Sequence, residues 1–219
     1  MASARTAAAL ACLVALPVGA SAGLAKEPKA PATPAQIRAY HDSGEWKSDT
    51  TTQVKRAKAF VKSWLKTHKK PRAKKPAVVL DIDDTSLSLY RCADAKDFET
   101  AALCAVEPDL PAIPQVRSFY KYVRAQGVAV FFITGRPEAL RDLSVDGLKS
   151  AGYTGKLRLT LQPADYHKAS KVPYKSGARR KITKDGYRIL ANLGDQRSDL
   201  KGGYSLKAYK LPNPMYFTP

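Results

Sequence analysis

The amino-acid sequence predicts an α/β protein in which a doubly wound, Rossmann-like parallel sheet carries helices on both faces and a small insertion follows the first strand. The first observation is a set of short apolar runs with the length of buried strands, at residues 77–80, 128–133, 157–161 and 187–193. Segments with helical spacing of apolar residues alternate with these runs, as in parallel βαβ units. Three of the four runs end in polar side chains, and ligands bind at that edge of such sheets.

Residues 1–22 are predicted to be a secretory signal peptide. Arg5 supplies the charged start, residues 7–18 form the apolar centre, and residues 20–22 give the small-residue pattern of a cleavage site. The apolar centre is shorter than the roughly 20 residues that a spanning helix needs, so a retained membrane anchor is the less favoured alternative. Lipid attachment at Cys12 is also disfavoured, and no later stretch is apolar enough to span. We therefore expect an exported protein that is secreted, periplasmic or held at the cell envelope.

The chain is strongly basic, with a formal net charge of +18 over 219 residues. Loss of residues 1–22 would lower this charge by only one, because Arg5 is the single charged residue removed. A basic balance favours anionic partners such as phosphate esters, nucleic acids, anionic polymers or membrane surfaces, and solubility alone is the alternative explanation. The length suffices for one domain with a full core, which we expect at residues 33–219 after a flexible lead-in at residues 23–32.

Two helices are predicted before the first strand. The segment Thr33-Pro34-Ala35-Gln36 has the residues of a capping box, with Thr33 as the cap. A second helix is expected to begin at Ser48 or Asp49, because apolar residues then recur with helical spacing at positions 54, 57, 61, 64 and 65. Residues 66–75 carry six Lys or Arg and are expected to form a solvated turn, with a docking patch for polyanions as the alternative.

A cluster of carboxylates follows the first strand. The apolar run ends in Asp81, Asp83 and Asp84, and Thr85 closes the motif. Side chains two residues apart on a strand share a face, so Asp81 and Asp83 should point to one side and Asp84 to the other. Two carboxylates held together in a dry site repel each other until a cation or a proton balances them. The motif therefore indicates either a metal site or a nucleophile beside an acid, with Asp84 as a structural hydrogen-bonding residue.

Residues 86–114 show no clear period and are expected to form an irregular insertion. Such a segment is typical of a cap over a site, and an ordinary surface excursion is the alternative. The two cysteines that remain after signal cleavage, Cys92 and Cys104, both lie in it, and an exported compartment permits their disulfide. The chain has no CxxC pair and no Cys/His cluster, which disfavours zinc. The three histidines lack ligand spacing and are expected to be surface or packing residues.

Helices and strands continue to alternate after the insertion. This alternation is what predicts a parallel sheet rather than a set of hairpins. The predicted elements are an amphipathic helix from Ile113 to Gly127, a strand at 128–133 ending in Thr134-Gly135-Arg136, a helix from Pro137, a strand at 157–161, a basic helix at 176–184, and a strand at 187–193 that runs into Gly194-Asp195.

The order of these strand-end residues resembles the haloacid dehalogenase superfamily of phosphohydrolases. Its motifs match Asp81-Ile82-Asp83-Asp84-Thr85, then Thr134, then Lys175, and then the segment from Gly194 to Asp199. Three longer segments are similar to the secreted class B acid phosphatase group, including its plant members: YKSGARRKI at 174–182, GYRILANLGDQRSDLKGG at 186–203 and KLPNPMYFTP at 210–219. The resemblance covers about residues 33–219 and implies a superfamily-type sheet with a cap.

The resemblance implies phosphomonoester hydrolysis through a covalent intermediate. Such a site must neutralise the phosphate charge, align a nucleophile and protonate the leaving alcohol. The resemblance assigns the nucleophile to Asp81, which would form an aspartyl-phosphate. Asp83, on the same face, would protonate the leaving oxygen and then deprotonate water.

The resemblance also implies a magnesium ion, a hard cation that prefers oxygen ligands. The expected ligands are the carboxylates of Asp81 and Asp195 and the backbone carbonyl of Asp83. Asp199 is expected to act through metal-bound water, with direct ligation as the alternative. Thr85 is expected to support the loop by hydrogen bonds.

The phosphoryl group is expected to contact Thr134, the Gly135 amide and Lys175. Lys175 should also pair with Asp81 and hold it ionised. Lys168 and Lys171 are the alternatives. Lys175 is preferred because it immediately precedes the predicted helix, matches the family spacing and has Arg179 one turn on.

These observations predict an exported, Mg²⁺-dependent phosphomonoesterase acting on a small phosphate ester. A phosphotransferase using the same intermediate and a non-catalytic storage or binding protein are the alternatives. No helix-turn-helix or RNA-binding aromatic pattern supports specific nucleic-acid binding. Arg136 is left open between substrate contact and bracing, and Arg197 stands where many relatives carry an aromatic residue. Tyr90 and Tyr120 are expected to pack in the core rather than to stack on a leaving group. The sequence predicts no oligomeric state.

Overall fold

The computed structural model describes residues 32–68 and 74–218 and confirms the predicted α/β class. Five strands form one sheet in the order β3-β2-β1-β4-β5, and every neighbouring pair is parallel. The predicted signal peptide and most of the lead-in lie outside the described residues, as does part of the basic run at 66–75. The strands are β1 (Lys75–Leu80), β2 (Ala129–Pro137), β3 (Leu159–Gln162), β4 (Tyr187–Gly194) and β5 (Lys207–Lys210).

Seven α-helices are present in the described ranges. Two short 3₁₀ segments, Ala101–Val106 and Glu138–Leu140, accompany them. The α-helices are α1 (Pro34–Asp42), α2 (Glu45–Thr67), α3 (Tyr90–Asp94), α4 (Pro114–Ala125), α5 (Arg141–Ser150), α6 (Val172–Lys184) and α7 (Arg197–Leu200).

The capping box at α1 is confirmed. The Gln36 amide donates to Thr33 Oγ1 at 3.3 Å, and Gln36 Oε1 accepts from the Thr33 amide at 3.0 Å. This reciprocal pair satisfies two of the backbone N–H groups that a helix start leaves without partners.

Several predicted boundaries are wrong. α2 begins at Glu45 instead of Ser48 or Asp49, because Gly44 adopts a left-handed conformation (φ +80°) that lets α1 and α2 follow almost directly. α6 begins at Val172, and Pro173 fits its first turn, so Lys175 lies inside the helix and does not precede it. Pro137 ends β2 and does not begin a helix, since a 3₁₀ turn separates the strand from α5.

The helices cover both faces of the sheet. Val78 and Leu80 of β1 belong to the larger core cluster, which includes residues of α2 and α4. Val79 faces the other way and packs with Ile182 of α6 and Ile189 of β4. Burial on both faces explains why β1 is a continuous apolar run without alternating polar residues.

The insertion at 86–114 is more regular than predicted, because it contains α3 and the 3₁₀ segment 101–106. A disulfide joins Cys92 to Cys104. Arg38 of α1 ties the insertion to the main body through Asp94 and Asp97, each at 2.6 Å. In the two described ranges, no helix combines the length and apolarity required to cross a membrane.

Candidate active site

Four side chains from four parts of the chain meet at the carboxyl edge of the sheet. Asp81 follows β1, Asp195 follows β4, Lys175 lies in the first turn of α6, and Asp199 lies in α7. All four are at most 5% exposed. Carboxylate oxygens of the three aspartates lie within 4.8 Å of one another. These residues converge because parallel strands all end at the same edge of a sheet.

The ammonium group of Lys175 balances part of this charge. It donates to Asp81 Oδ1 at 2.9 Å and also contacts Asp199 Oδ1. Burial lowers the pKa of Lys175, but attraction by Asp199 and Asp81 outweighs it and raises that pKa above its ordinary value. Burial and repulsion by Asp199 raise the pKa of Asp81, and attraction by Lys175 opposes them. Lys175 contacts two of the three carboxylates, so the cluster is short of positive charge.

Asp195 is held by three side-chain donors. Thr85 Oγ1 donates to Asp195 Oδ1 at 3.1 Å. Gln196 Nε2 and Asn213 Nδ2 donate to Oδ2 at 2.7 and 2.8 Å. Burial raises the pKa of Asp195 to about 6, with Asp199 adding to the rise and the amide donors opposing it. Oδ2 already has two donors, so Oδ1 has more free capacity to accept a further partner.

Asp199 has both of its carboxylate oxygens engaged. Oδ1 contacts Lys175, and Oδ2 accepts from the Gln196 amide at 2.8 Å. The backbone carbonyl of Asp199 accepts from Asn192 Nδ2 at 2.8 Å and from the guanidinium of Arg179. Asp199 is therefore fixed through its side chain and its main chain together.

Arg179 is 1% exposed and lies one helical turn after Lys175 on α6. Its Nε donates to the Gly203 carbonyl at 2.8 Å, and its other nitrogens contact the Asp199 and Lys201 carbonyls. Burial lowers the pKa of Arg179 to about 10, although Asp199 opposes this. One face of α6 thus holds the side chain of Asp199 through Lys175 and its backbone through Arg179.

Asp83 lies at the rim of the cluster and is paired with Arg136. Arg136 Nη2 donates to Asp83 Oδ1 at 2.6 Å, and Nε lies 3.1 Å from both carboxylate oxygens. Arg136 is 3% exposed and also reaches Ser144 Oγ at 3.3 Å. The sequence left Arg136 open between two functions, and this contact favours bracing.

Thr134 and Gly135 lie in the C-terminal half of β2. Thr134 is fully buried, and its Oγ1 accepts from the Arg136 amide at 3.2 Å. Tyr174 of α6 donates to the Thr134 carbonyl at 3.1 Å. A β-carbon added to Gly135 would meet no described atom within 4 Å, so the space beside this glycine is open.

The remaining candidates lie elsewhere. Lys171 contacts the Tyr166 ring at 5.7 Å, and Lys168 is exposed, so among the three candidate lysines it is Lys175 that reaches Asp81. Tyr120 packs against Phe132 and Tyr153 in the core. Tyr90 is half-buried and stacks on His41, with ring centroids 3.6 Å apart. The Asp84 carboxylate accepts from the Leu89 amide at 2.9 Å.

Comparison with known proteins decides the family. The model of the HAD superfamily, subfamily IIIB (acid phosphatase), matches residues 6–219. The chain belongs to this family.

Two relatives of this chain differ in the function that their names give, since one is a phosphatase and the other a storage protein. It is 35% identical over 147 residues to acid phosphatase 1 of Solanum lycopersicum, covering 64% of this chain and 58% of that protein. It is 33% identical over 149 residues to vegetative storage protein 1 of Arabidopsis thaliana, covering 64% and 55%. The chain thus spans under two thirds of the length of these relatives.

A solved structure shares the fold of this subfamily IIIB protein. The class C acid phosphatase of Bacillus anthracis superposes with a TM-score of 0.66 at 21% identity, over 84% of this chain and 86% of that one. At this identity the likeness establishes the fold alone.

The cluster of Asp81, Asp195 and Asp199 fits a hard divalent cation. Asp81 and Asp195 offer carboxylate oxygens within 4.8 Å of each other, in a pocket that has an excess of negative charge. Such oxygen donors are the ligands that Mg²⁺ prefers. Asp199 belongs to the same group of oxygens, but its contacts with Lys175 and the Gln196 amide make it the less available donor.

The sequence analysis missed several residues that hold the aspartates of the candidate active site in place. Ser86 Oγ donates to the Asp81 carbonyl at 2.6 Å. Asn192 donates to the Asp199 carbonyl, and Gln196 and Asn213 donate to the Asp195 carboxylate. Asn192, Gln196 and Asn213 lie in segments that carried the family resemblance, which was the available signal. Nothing in the sequence pattern singled out Ser86.

A cavity of about 690 Å³ lies between the insertion, the start of α1 and the C-terminal segment. The insertion contributes Phe98, Thr100 and Leu103, and the C-terminal segment contributes Tyr216 and Phe217. Gln196 Nε2 donates to the Tyr216 carbonyl at 3.2 Å and to Asp195 Oδ2 at 2.7 Å. Burial raises the pKa of Tyr216, and the carboxylates of Asp84 and Asp195 raise it further. Tyr216 therefore connects the cavity to the carboxylates.

Proposed function

We propose that this protein is an exported, Mg²⁺-dependent phosphomonoesterase that acts through an aspartyl-phosphate on Asp81. The observation that carries the proposal is the buried contact of Lys175 with Asp81 at 2.9 Å beside Asp195, in a chain of an acid phosphatase subfamily. A predicted signal peptide and the Cys92–Cys104 disulfide support export.

Asp81 is the nucleophile in this mechanism. One carboxylate oxygen attacks phosphorus, the new O–P bond forms, and the bond from phosphorus to the leaving oxygen breaks. Lys175 favours the ionised form of Asp81 through their hydrogen bond, and its charge also attracts the phosphoryl oxygens. Thr134 and the Gly135 amide bind the remaining phosphoryl oxygens, and the open space beside Gly135 supports such an approach.

Asp83 is the general acid and base. It donates a proton to the leaving oxygen, and it then takes a proton from the water that attacks the aspartyl-phosphate and releases phosphate. Arg136 holds the Asp83 carboxylate in place through two nitrogen donors.

The carboxylates of Asp81 and Asp195 and the carbonyl of Asp83 would hold the metal, with Asp199 acting through bound water. A bound Mg²⁺ would neutralise charge on the phosphoryl oxygens. Thr85 orients Asp195, and Arg179 is a positioning residue for Asp199.

The leaving group is proposed to occupy the cavity between the insertion and the C-terminal segment, which makes the insertion a cap. Its lining is rich in aromatic and aliphatic side chains, as in most sites for small organic molecules. Aryl phosphates and nucleotides are therefore the first substrates to test.

A panel of phosphate esters assayed with and without metal tests the proposal. Purified protein should release phosphate from at least one ester, lose turnover in excess chelator and regain it with Mg²⁺. Asp81→Asn should abolish hydrolysis and keep the circular dichroism spectrum of the folded protein. Full activity in excess chelator would exclude the metal, and wild-type turnover by Asp81→Asn would exclude the nucleophile.

The similarity to two vegetative storage proteins of Arabidopsis thaliana favours a second candidate, a non-catalytic storage protein on the same fold. A storage protein has no need of a nucleophile, an acid and a balancing ammonium group. This chain retains Asp81, Asp83, Lys175 and Asp195, which argues for catalysis. An absence of turnover on the whole panel, with folded protein and added metal, would favour storage.

A further inference from the structure

The longest of the described helices, α2, carries on one face a set of lysines that the proposed chemistry does not use. Residues 50–80 contain ten Lys and Arg and no Asp or Glu. In the described part of this segment, Lys55, Lys58, Lys62 and Lys66 of α2 are all exposed. They are spaced three, four and four residues apart, which places them on one face of a helix. We call these four residues the α2 lysine stripe.

The stripe is continuous and lacks nearby opposite charge. Among the described residues, no carboxylate lies within 4.0 Å of the ammonium groups of Lys55, Lys62 or Lys66. The Lys58 ammonium lies 4.7 Å from the centroid of the Tyr122 ring on α4, a cation–π contact that keeps its charge. The stripe extends for about 16 Å along the helix, since each residue adds about 1.5 Å.

The stripe runs away from the active site. At the start of α2, Trp46 Nε1 donates to the Pro212 carbonyl at 3.2 Å, and Trp46 lines a small pocket together with Asp84 and Asn213. Lys66 lies 20 residues further along the helix, or about 30 Å from that turn. A molecule bound along the stripe would therefore leave the carboxylate cluster accessible.

We propose that the α2 lysine stripe docks a linear phosphodiester polymer without bases, such as a poly(glycerol phosphate) chain. Adjacent lysines are about 5–6 Å apart at their β-carbons, so each ammonium group can meet a separate charge of an extended chain. Binding to single-stranded nucleic acid typically adds aromatic platforms for the bases. Tyr122 is half-buried and has the Lys58 ammonium over one face of its ring, and among the described residues Lys55, Lys62 and Lys66 have no such ring contact, which favours a polymer without bases.

The test measures binding of fluorescent poly(glycerol phosphate) to the full protein across a salt series. One variant carries Lys55→Gln, Lys58→Gln, Lys62→Gln and Lys66→Gln. A matched control loses the same charge on α5, the loop after it and α6, through Lys149→Gln, Lys156→Gln, Lys181→Gln and Lys184→Gln. All eight lysines are exposed, so both variants should keep the wild-type melting temperature. Oligo(dT) serves as a second probe.

We expect the stripe variant to bind the polymer at least about tenfold more weakly at low salt, and the control variant to bind within about threefold of wild type. The slope of log affinity against log salt should be shallower by about 3 in the stripe variant, since four contacts are lost at about 0.7 each. Turnover of a small ester should be unchanged in both variants. Equal losses in the two variants, no measurable binding by wild type, or tighter binding of oligo(dT) would overturn the proposal.

Discussion

A β-carbon placed on Gly194 would lie 2.3 Å from the β-carbon of Asp199, whereas one placed on Gly135 would meet no described atom within 4 Å. Gly194 is thus required by the close packing of α7 against the end of β4. The packing of the described residues gives no such reason for Gly135. Its amide is one of the proposed phosphoryl contacts, and access to that amide is the physical reason that we assign to the glycine.

We expect Gly135→Ala to change the free energy of unfolding by less than about 1 kcal/mol and to lower kcat/KM at least about tenfold, because its methyl group enters the space of the phosphoryl oxygens. Gly194→Ala should instead destabilise the protein by about 1–3 kcal/mol, since Asp199 must move. Urea unfolding and steady-state kinetics measure the two effects. A fully active Gly135→Ala would remove Gly135 from the proposed phosphate site.

The protonation step is tested at Asp83. Asp83→Asn should lower kcat about 10²–10⁴-fold for an alkyl phosphate, the usual range for general acid–base catalysis. The loss should be smaller for 4-nitrophenyl phosphate, because nitrophenolate leaves with little need of a proton. Asp146→Asn on α5, an exposed site, is the control and should match wild type. Equal losses on both substrates would argue against Asp83 as the acid.

At the scale of elements, sequence patterns predicted the strands better than the helix starts. Residues 77–80, 128–133 and 187–193 are apolar enough to stand out, and all three are central strands. β5 was missed because only Tyr209 of its four residues is buried, so no apolar run marks it. The start of α6 was misplaced because its first turn contains Pro173 and no regular apolar period, and its position depends on packing against β4.

The periodicity of apolar residues does not predict which side chains of different elements touch. Helical spacing puts Lys175 and Arg179 on one face of α6, but only the fold brings the Asp199 side chain to Lys175 and its carbonyl to Arg179. The pairing of Asp83 with Arg136 likewise joins two strand ends. Motif order predicted which edge of the sheet to consider, and tertiary packing determined which groups touch there.

The disulfide of the insertion carries a prediction at this scale. Its cysteines are 12 residues apart, and closing a loop of that size stabilises by about 3 kcal/mol in the chain-entropy model. We expect reductant to lower the free energy of unfolding by about that amount. A Cys92→Ser/Cys104→Ser variant should be equally destabilised and should no longer respond to reductant. Two free thiols in the exported protein, detected by mass spectrometry without reduction, would contradict the pairing.

At the scale of the whole molecule, a buried excess of negative charge should link folding to metal. Mg²⁺ added to chelator-treated protein should raise the melting temperature, with a stabilisation of about 2.7 kcal/mol at a concentration 100 times the dissociation constant. Asp195→Asn should abolish most of this shift, and NaCl of equal ionic strength should not reproduce it. Calorimetry measures the shift without any substrate. An equal rise with NaCl would mean that screening, not a bound ion, relieves the repulsion.

The two ends of the insertion lie side by side and are joined by backbone hydrogen bonds. The Ile113 amide donates to the Ser86 carbonyl at 3.0 Å, and the Ser88 amide donates to the Pro111 carbonyl at 2.8 Å. The two ends of the insertion are therefore fixed to each other at its base, and replacement loops that keep these two hydrogen bonds and the buried side chains of Leu89, Ala93 and Phe98 should leave β1 and α4 in place. A chimaera with a different loop joined at the same base would keep the reactive groups at the edge of the sheet and change the residues that cover them. Substrate selectivity would then vary independently of the chemistry.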